Sequence, residues 1–298
     1  MEHSVKPCFG PLGPARVYSS AMLDLGQWIV RRDRVLVVGI LNATPDSFFE
    51  RSRVPTPSAA VDRALRMVED GADIIDVGGE SSRPGSAPVP EEEETARVIP
   101  ILEGSRRETD VLLSVDTTKA AVAAEALAAG ASMVNDISAL RFDPEMAAVV
   151  ADRGAFVVLM HMQGTPGTMQ VDPTYDDVVS DVHAFLGRRI VAATSAGIRR
   201  DRIVIDPGIG FGKRLAHNLE LLRNIERFTD LGPPVLVGAS RKSFLGEILG
   251  LPAEERLEGT LAVHAVAVAQ GADLIRVHDI QEGRRAADVA RRLRRHAA

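Results

Sequence analysis

The residues of this chain best equipped for chemistry stand at the ends of short apolar runs. Asn42 follows Val35–Leu41, while Glu80, Ser81, Ser82 and Arg83 come after Ile74–Val77. Asp116 follows Val111–Val115, Asn135 and Asp136 follow Ser132–Val134, and His161 follows Ala155–Met160. Asp206 comes after Arg202–Ile205, Ser240, Arg241 and Lys242 after Pro234–Val237, and Arg276, His278 and Asp279 sit at the end of Leu274–Val277. Arg83, Arg276 and His278, with the hydroxyls of Ser81 and Ser82 and the amide of Asn42, suit a phosphate or pyrophosphate group, because arginine presents a fork of N–H donors to paired oxygens. Asp116, Asn135 and Asp206 offer acceptors to an NH-rich heterocycle. A carboxylate takes two parallel hydrogen bonds from an amidine-like edge, as in a 2-aminopyrimidinone. Lys242 could donate to the carbonyl of such a ring, with the apolar Met160 and Phe211 on its faces.

Each of these residues also has a plainer reading. An aspartate after a strand often caps the next helix, and Asp136 is open to that role. Asp46 could close an Asx turn after Pro45. His161, alone beside a strand, reads as a pocket-wall residue rather than a metal ligand, and the run Glu91–Glu94 after Pro90 reads as an acidic helix start aligned with the helix dipole. Two phosphate motifs fail on inspection. Gly208-Ile209-Gly210-Phe211-Gly212-Lys213 has Pro207 where a P-loop needs its first glycine and Arg214 where Ser or Thr would meet magnesium, and its third glycine comes one residue early for Gly-x-Gly-x-x-Gly.

The elements that must position these groups follow from the hydrophobic pattern. The eight runs are short, apolar and rich in β-branched residues, as buried parallel strands require. Between them lie predicted helices at 57–71, 91–107, 117–129, 143–153, 174–196, 215–228, 241–249 with 254–271, and 280–296. A weak repeat marks the alternation: Gly71-Ala72-Asp73, Gly130-Ala131-Ser132 and Gly271-Ala272-Asp273 each end a helix and lead into a strand. Eight strand–helix units without a composition break predict one (β/α)8 TIM barrel over residues 34–298, and an open doubly wound sheet is the alternative. Residues 1–33 read as a short N-terminal arm with an edge hairpin near Ile29. Barrel enzymes carry their sites at the C-terminal ends of the strands, where the polar residues fall.

Composition narrows the function. With 45% hydrophobic residues in 298, disorder is excluded. A net charge of -6 argues against general affinity for nucleic acid or anionic membranes, so an anionic ligand needs a local cationic pocket. Lys6, Lys119, Lys213 and Lys242 are the only lysines in an arginine-dominated set, so each is worth scrutiny. Cys8 is the only cysteine, which excludes an internal disulfide and a multi-cysteine zinc site. No secretory leader and no apolar run of membrane-spanning length is seen, so the expectation is a soluble, cytoplasmic protein.

Taken together, the motifs resemble those of the dihydropteroate synthase family, the folate-pathway enzymes that sulfonamides target. They are Gly39–Phe48, Asp76–Gly85, Ser114-Val115-Asp116-Thr117, Val134–Ser138, Asp206–Lys213, Ser240–Ser243 and Arg276–Asp279, in the family's order across residues 35–280. The resemblance implies condensation of 6-hydroxymethyl-7,8-dihydropterin pyrophosphate with 4-aminobenzoate, a magnesium ion (Mg2+) and a homodimer. It places the pterin on Asp116, Asn135, Asp206 and Lys242, with Met160, Phe211 and Gly238 lining the pocket. It places the pyrophosphate on Asn42, Ser82, Arg83, Arg276 and His278, magnesium near Asn42, and aminobenzoate near Pro84, Ser240 and Lys242. Asp116, Lys242, Arg276 and His278 are then the catalytic set. Pyrophosphate would leave first, its growing charge neutralised by magnesium and by Arg83, Arg276 and His278, and an ionised Asp116 would stabilise the methylene-pterin cation. The chain departs from the family after Phe48, where Phe49–Pro55 is bulkier, charged and glycine-free in a loop that must fold over substrate. The alternatives are a non-catalytic pterin-binding paralogue and a pterin-dependent methyltransferase.

Overall fold

The computed structural model of the chain describes residues 25, 27–28, 34–43, 56–83 and 85–294. Strands β1 (Leu36–Asn42), β2 (Ile74–Gly78), β3 (Leu112–Asp116), β4 (Met133–Asp136), β5 (Phe156–Met160), β6 (Ile203–Asp206), β7 (Leu236–Val237) and β8 (Leu274–Val277) form one sheet. They pair in parallel in the order β6-β5-β4-β3-β2-β1-β8-β7. A single parallel bridge between Ile205 and Val235 joins the two ends, so the sheet curls into a nearly closed barrel. The barrel expectation holds, and the open-sheet alternative does not.

Helices α1 (Pro57–Glu69), α2 (Glu91–Glu108), α3 (Ala120–Ala128), α4 (Met146–Asp152), α5 (Val178–Ser195), α6 (Leu215–Arg223), α7 (Glu226–Thr229), α8 (Ser243–Leu249), α9 (Leu257–Ala269) and α10 (Ile280–Leu293) lie between and after the strands. The predicted 215–228 helix is broken. Asn224 leaves helical geometry and bonds the carbonyl of Glu220 with its side-chain amide at 2.9 Å, local competition of the kind that ends helices. The 117–129 helix starts late, at Ala120, whose N–H donates to Asp143 at 2.7 Å. Likewise the 174–196 helix starts at Val178, because Asp177 caps it by accepting from Ser180 N–H at 2.8 Å.

Alternation along the strands creates two apolar layers. Val37, Ile75, Val77, Leu113, Val115, Val134, Val157, Ile203, Ile205 and Ile275 face outward and pack with the helices. Leu36, Val38, Ile74, Met133, Phe156, Val158, Val204, Leu236 and Leu274 face inward and fill the lower barrel together with Leu25 and Trp28. The indole N–H of Trp28 donates to the carbonyl of Arg34 at 2.9 Å. Leu25, Gln27 and Trp28 have helical backbone, whereas Ile29, where a hairpin is expected, lies outside the described residues along with most of the arm.

Candidate active site

The same alternation aims the polar residues. With Leu36, Ile74, Leu112, Met133, Phe156, Val204, Leu236 and Leu274 inward, period two turns Asn42, Asp76, Asp116, Asn135, Met160, Asp206, Gly238, Arg276 and His278 into the barrel mouth. Asp116 lies opposite Asn135 in register, and Met160 lies opposite Asp206. At the floor, Arg276 bridges two carboxylates: its Nε donates to Asp76 Oδ2 and its Nη2 to Asp116 Oδ2, both at 2.7 Å. Asp76 Oδ2 also accepts from Asn135 Nδ2 at 3.0 Å, while its Oδ1 is buried without a partner.

Burial decides the charge states. It pushes the Asp116 carboxyl up to about 7, because desolvation and the nearby negative charges of Asp76, Glu94 and Asp136 outweigh the pull of Arg276. The expectation of an aspartate fully ionised at neutral pH is thus corrected. Burial also raises Asp206 against the opposing Lys242, and lowers Lys242 to about 8 against the opposing Asp206. The Lys242 ammonium donates to the carbonyl of Ile209 and lies 4.4 Å from the centre of the Phe211 ring. His278 is held down to about 3, by burial first and then by the charge of Arg276, so it is neutral at pH 7. Its Nδ1 meets Ser240 Oγ at 2.9 Å. The expected cationic trio of Arg83, Arg276 and His278 is therefore less positive than its residue types suggest: His278 is uncharged and Arg276 is matched by two carboxylates.

The loops at the mouth are held by buried polar contacts. Asp136 accepts from the N–H groups of Ser138 and Leu140, at 2.7 and 2.8 Å, and so shapes the loop in which Ala139 and Leu140 have positive φ; it does not cap the next helix, which starts at Met146 after Glu145. Lys213 is buried, and its ammonium reaches His161 Nδ1 and the carbonyl of Phe211, both at 2.9 Å. That joins the loops after β5 and β6, which approach so closely that a Cβ on Gly208 would sit 1.9 Å from the carbonyl oxygen of His161. Burial drives His161 to about 2 and lowers Lys213 strongly, so His161 is a neutral wall residue, as read from its isolation. Arg241, at φ 54, makes two 2.8 Å bonds to Asp279 and ties the loops after β7 and β8. His264 accepts from Ala239 N–H at 3.1 Å and fixes the end of β7.

Met160 is joined by Ile137, Met162 and Met169 in an apolar cluster against which Phe211 packs, beside the carboxylates. Gly238 leaves room, since a Cβ there would lie 3.7 Å from Arg276 and 3.9 Å from Asp206. Asn42, Ser82 and Arg83 are half-buried at the ends of β1 and β2. Pro84 and residues 44–55, including the divergent 49–55 segment, lie outside the described residues. Two residues were missed in the sequence. Asp76 is buried mid-strand rather than at a strand end, although inward parity with Ile74 marks it. Lys213 was visible as one of few lysines and as the end of the Asp206–Lys213 segment, with no role attached to it. Among the described residues no group of three or more His, Cys, Asp or Glu is placed to hold a metal. Asn42 offers a single neutral amide oxygen, a donor set that suits Mg2+ only where substrate phosphate oxygens supply most of the coordination.

Comparison with known proteins agrees with this geometry. Residues 38–278 match the pterin binding enzyme family. A dihydropteroate synthase of Synechocystis sp. is 46% identical over 249 residues, covering 83% of this chain and 86% of that protein. The Yersinia pestis dihydropteroate synthase in complex with a sulfonamide drug superimposes with a TM-score of 0.85 at 44% identity, covering 88% of this chain and 94% of the other. The Xanthomonas albilineans dihydropteroate synthase in complex with 7,8-dihydropteroate gives 0.78 at 46% identity, with 88% and 94% covered. With its inward polar ring standing at the strand ends of a (β/α)8 barrel, the chain belongs to the pterin binding enzyme family and groups within it with the dihydropteroate synthases.

Proposed function

We propose that this chain condenses 6-hydroxymethyl-7,8-dihydropterin pyrophosphate with 4-aminobenzoate, giving 7,8-dihydropteroate and pyrophosphate. The observation that carries the reading is the inward set of Asp116, Asn135, Asp206 and Lys242 beside Phe211, in one barrel mouth with Arg276. These groups supply the acceptors, the donor and the apolar face that a flat, NH-rich bicyclic ring requires. The relative seen with 7,8-dihydropteroate supports the same substrate class.

In the proposed reaction the C–O bond between the pterin methylene and the pyrophosphate breaks first, and the electron pair leaves with the pyrophosphate. Delocalisation makes the aminobenzoate nitrogen a weak nucleophile, so a reactive cation ahead of attack favours the chemistry. That cation is conjugated with the ring and faces Asp116. The amine nitrogen then forms the C–N bond and loses its proton to solvent water. Arg83, with neutral His278 and Ser82 donating hydrogen bonds, holds the departing group. Ser240, Lys242 and Pro84 line the aminobenzoate side. When bound, Mg2+ would be held by Asn42 with the substrate's phosphate oxygens and would supply charge neutralisation for the leaving group. We place a homodimer contact on α9 and α10. Leu261, Ala262 and Ala265 there line an apolar groove with Val289 and Leu293, the last two 62% and 72% exposed.

The test is to mix the purified chain, Mg2+ and both substrates, and to follow dihydropteroate and pyrophosphate together. Equal formation of both supports the synthase reading. Pyrophosphate alone means that the first step proceeds and aminobenzoate is not held. Pterin binding without either product moves the reading to a non-catalytic paralogue.

A further inference from the structure

We propose that Asp76 is a positioning residue that fixes the side-chain amide of Asn135, so that Asn135 Oδ1 is the atom offered to a bound pterin, and that it holds Arg276 against Asp116. The inference deepens the proposed function and rests on it. Asp76 is 1% exposed and its Oδ2 is taken up by Asn135 and Arg276, so it acts through its neighbours rather than on a ligand. One oxygen, Oδ2, collects both Asn135 Nδ2 at 3.0 Å and Arg276 Nε at 2.7 Å. An asparagine side chain is chemically two-faced, with a donor end and an acceptor end that differ little in shape. A carboxylate oxygen already engaged by an arginine accepts only, so the NH2 end of Asn135 must turn to it. That leaves the acceptor end for the ring. Without Asp76 the amide could present either end, and half of its rotamers would set an N–H against the ring's donors.

The charge environment supports the second part. Asp116 is faced by Arg276 from β8, Asp76 from β2, Glu94 from α2, Asp136 from β4 and, at the start of α8, Lys242. Asp76 is one of the negative charges that push Asp116 up, so removing it should let Asp116 ionise at lower pH.

Two variants separate anchoring from charge. Asp76→Leu removes the acceptor, whereas Asp76→Asn keeps an acceptor oxygen and removes the charge. Calorimetric titration with 6-hydroxymethyl-7,8-dihydropterin pyrophosphate should show about tenfold weaker binding or more for Asp76→Leu, the scale of a lost hydrogen bond to a charged group. Asp76→Asn should recover most of that affinity, while the acid limb of its affinity–pH profile moves to lower pH. A purely structural role would move neither the rescue nor the pH limb. A second measurement needs no variant of Asp76 to fold. The chain has only the asparagines Asn42, Asn135, Asn218 and Asn224, so asparagine-selective 15N labelling gives a readable set of side-chain amides, with Asn135 assigned by Asn135→Ala. The Asn135 amide protons should persist in D2O far longer than those of the half-buried Asn224, which sits on the outer helix surface beside Glu220. Exchange at the Asn224 rate, or unchanged pterin affinity in Asp76→Leu, overturns the inference. Failure of the unsubstituted chain to bind the pterin at all, with Asn135 still protected, overturns the proposed function instead and leaves the anchor standing.

Discussion

Asp116→Asn separates the cost of building this site from its use. Asp116 rises from an ordinary 3.8 to about 7 on burial in the folded chain. A carboxyl whose folded value lies above its unfolded value stabilises fully below the unfolded value, and that contribution is lost as pH rises through the folded one. Between pH 3.8 and about 7 the unfolded chain therefore gains ionisation that the folded chain resists. At 1.36 kcal/mol for each pH unit, the cost to the native state reaches about 4 kcal/mol and is flat above pH 7. Asparagine keeps the shape, offers Arg276 Nη2 an oxygen, and cannot ionise. Asp116→Asn should thus match the unsubstituted chain in stability near pH 4 and exceed it by about 4 kcal/mol at pH 8, roughly 8 °C in Tm for a chain of this size. Under the proposed reaction the same change removes a charge-assisted bond and the carboxylate facing the cation, so kcat/KM should fall about a hundredfold or more. Thermal melts at pH 4, 6 and 8 beside steady-state kinetics check both. Equal Tm differences at all three pH values would refute the desolvation argument, and unchanged turnover would remove the electrostatic role.

Gly208→Ala forces a Cβ to 1.9 Å from the carbonyl of His161 at φ +70, and should cost at least about 3 kcal/mol, read as a lowered denaturation midpoint. Lys119→Met strips the cation that meets Glu80 and the buried Glu94, whose Oε1 already has no partner. A loss of about 3–5 kcal/mol follows in chemical denaturation, and adding Glu94→Gln to the same chain should restore part of it. Val289→Glu, which puts a charge on the exposed apolar face of α10, should convert a dimer to monomers in light scattering without altering the monomer's circular dichroism. A monomer before substitution would remove the dimer contact from the proposal.

Much of the site could be read from the chain because strand geometry is so restrictive. Once Leu112, Met133, Val204 and Leu274 are taken as inward, a count of two selects Asp116, Asn135, Asp206, Arg276 and His278 with no knowledge of distance. Asp76 obeys the same rule, counted from Ile74, although it lies mid-strand rather than at a strand end. What pattern cannot give is the close approach of separate loops. Nothing near Lys213 in sequence predicts that its ammonium meets the imidazole of His161, and nothing near Asn224 says that its amide will break a helix by bonding Glu220. Charge state was also out of reach. Residue types suggested an ionised Asp116 and a cationic His278, yet both depend on how much water burial removes, a property of the whole barrel.

The two errors of charge have a common origin and a common consequence. At the barrel mouth the carboxylates of Asp76, Asp116 and Asp206 face the cations of Arg276 and Lys242, and desolvation drives Asp116 up to about 7 and Lys242 down to about 8. Near neutral pH both groups are thus poised close to their midpoints, and burial favours the uncharged form of each. A ring that presents N–H donors to Asp116 and a carbonyl to Lys242 favours the charged form of each, so ligand binding and ionisation reinforce one another. The leaving-group side is built on the opposite plan. Neutral His278 and the already paired Arg276 add little positive charge there. The negative floor and the weakly cationic rim therefore divide the proposed reaction in space: the floor favours the cation that forms on the pterin, and the rim holds its leaving group without neutralising the carboxylates beneath.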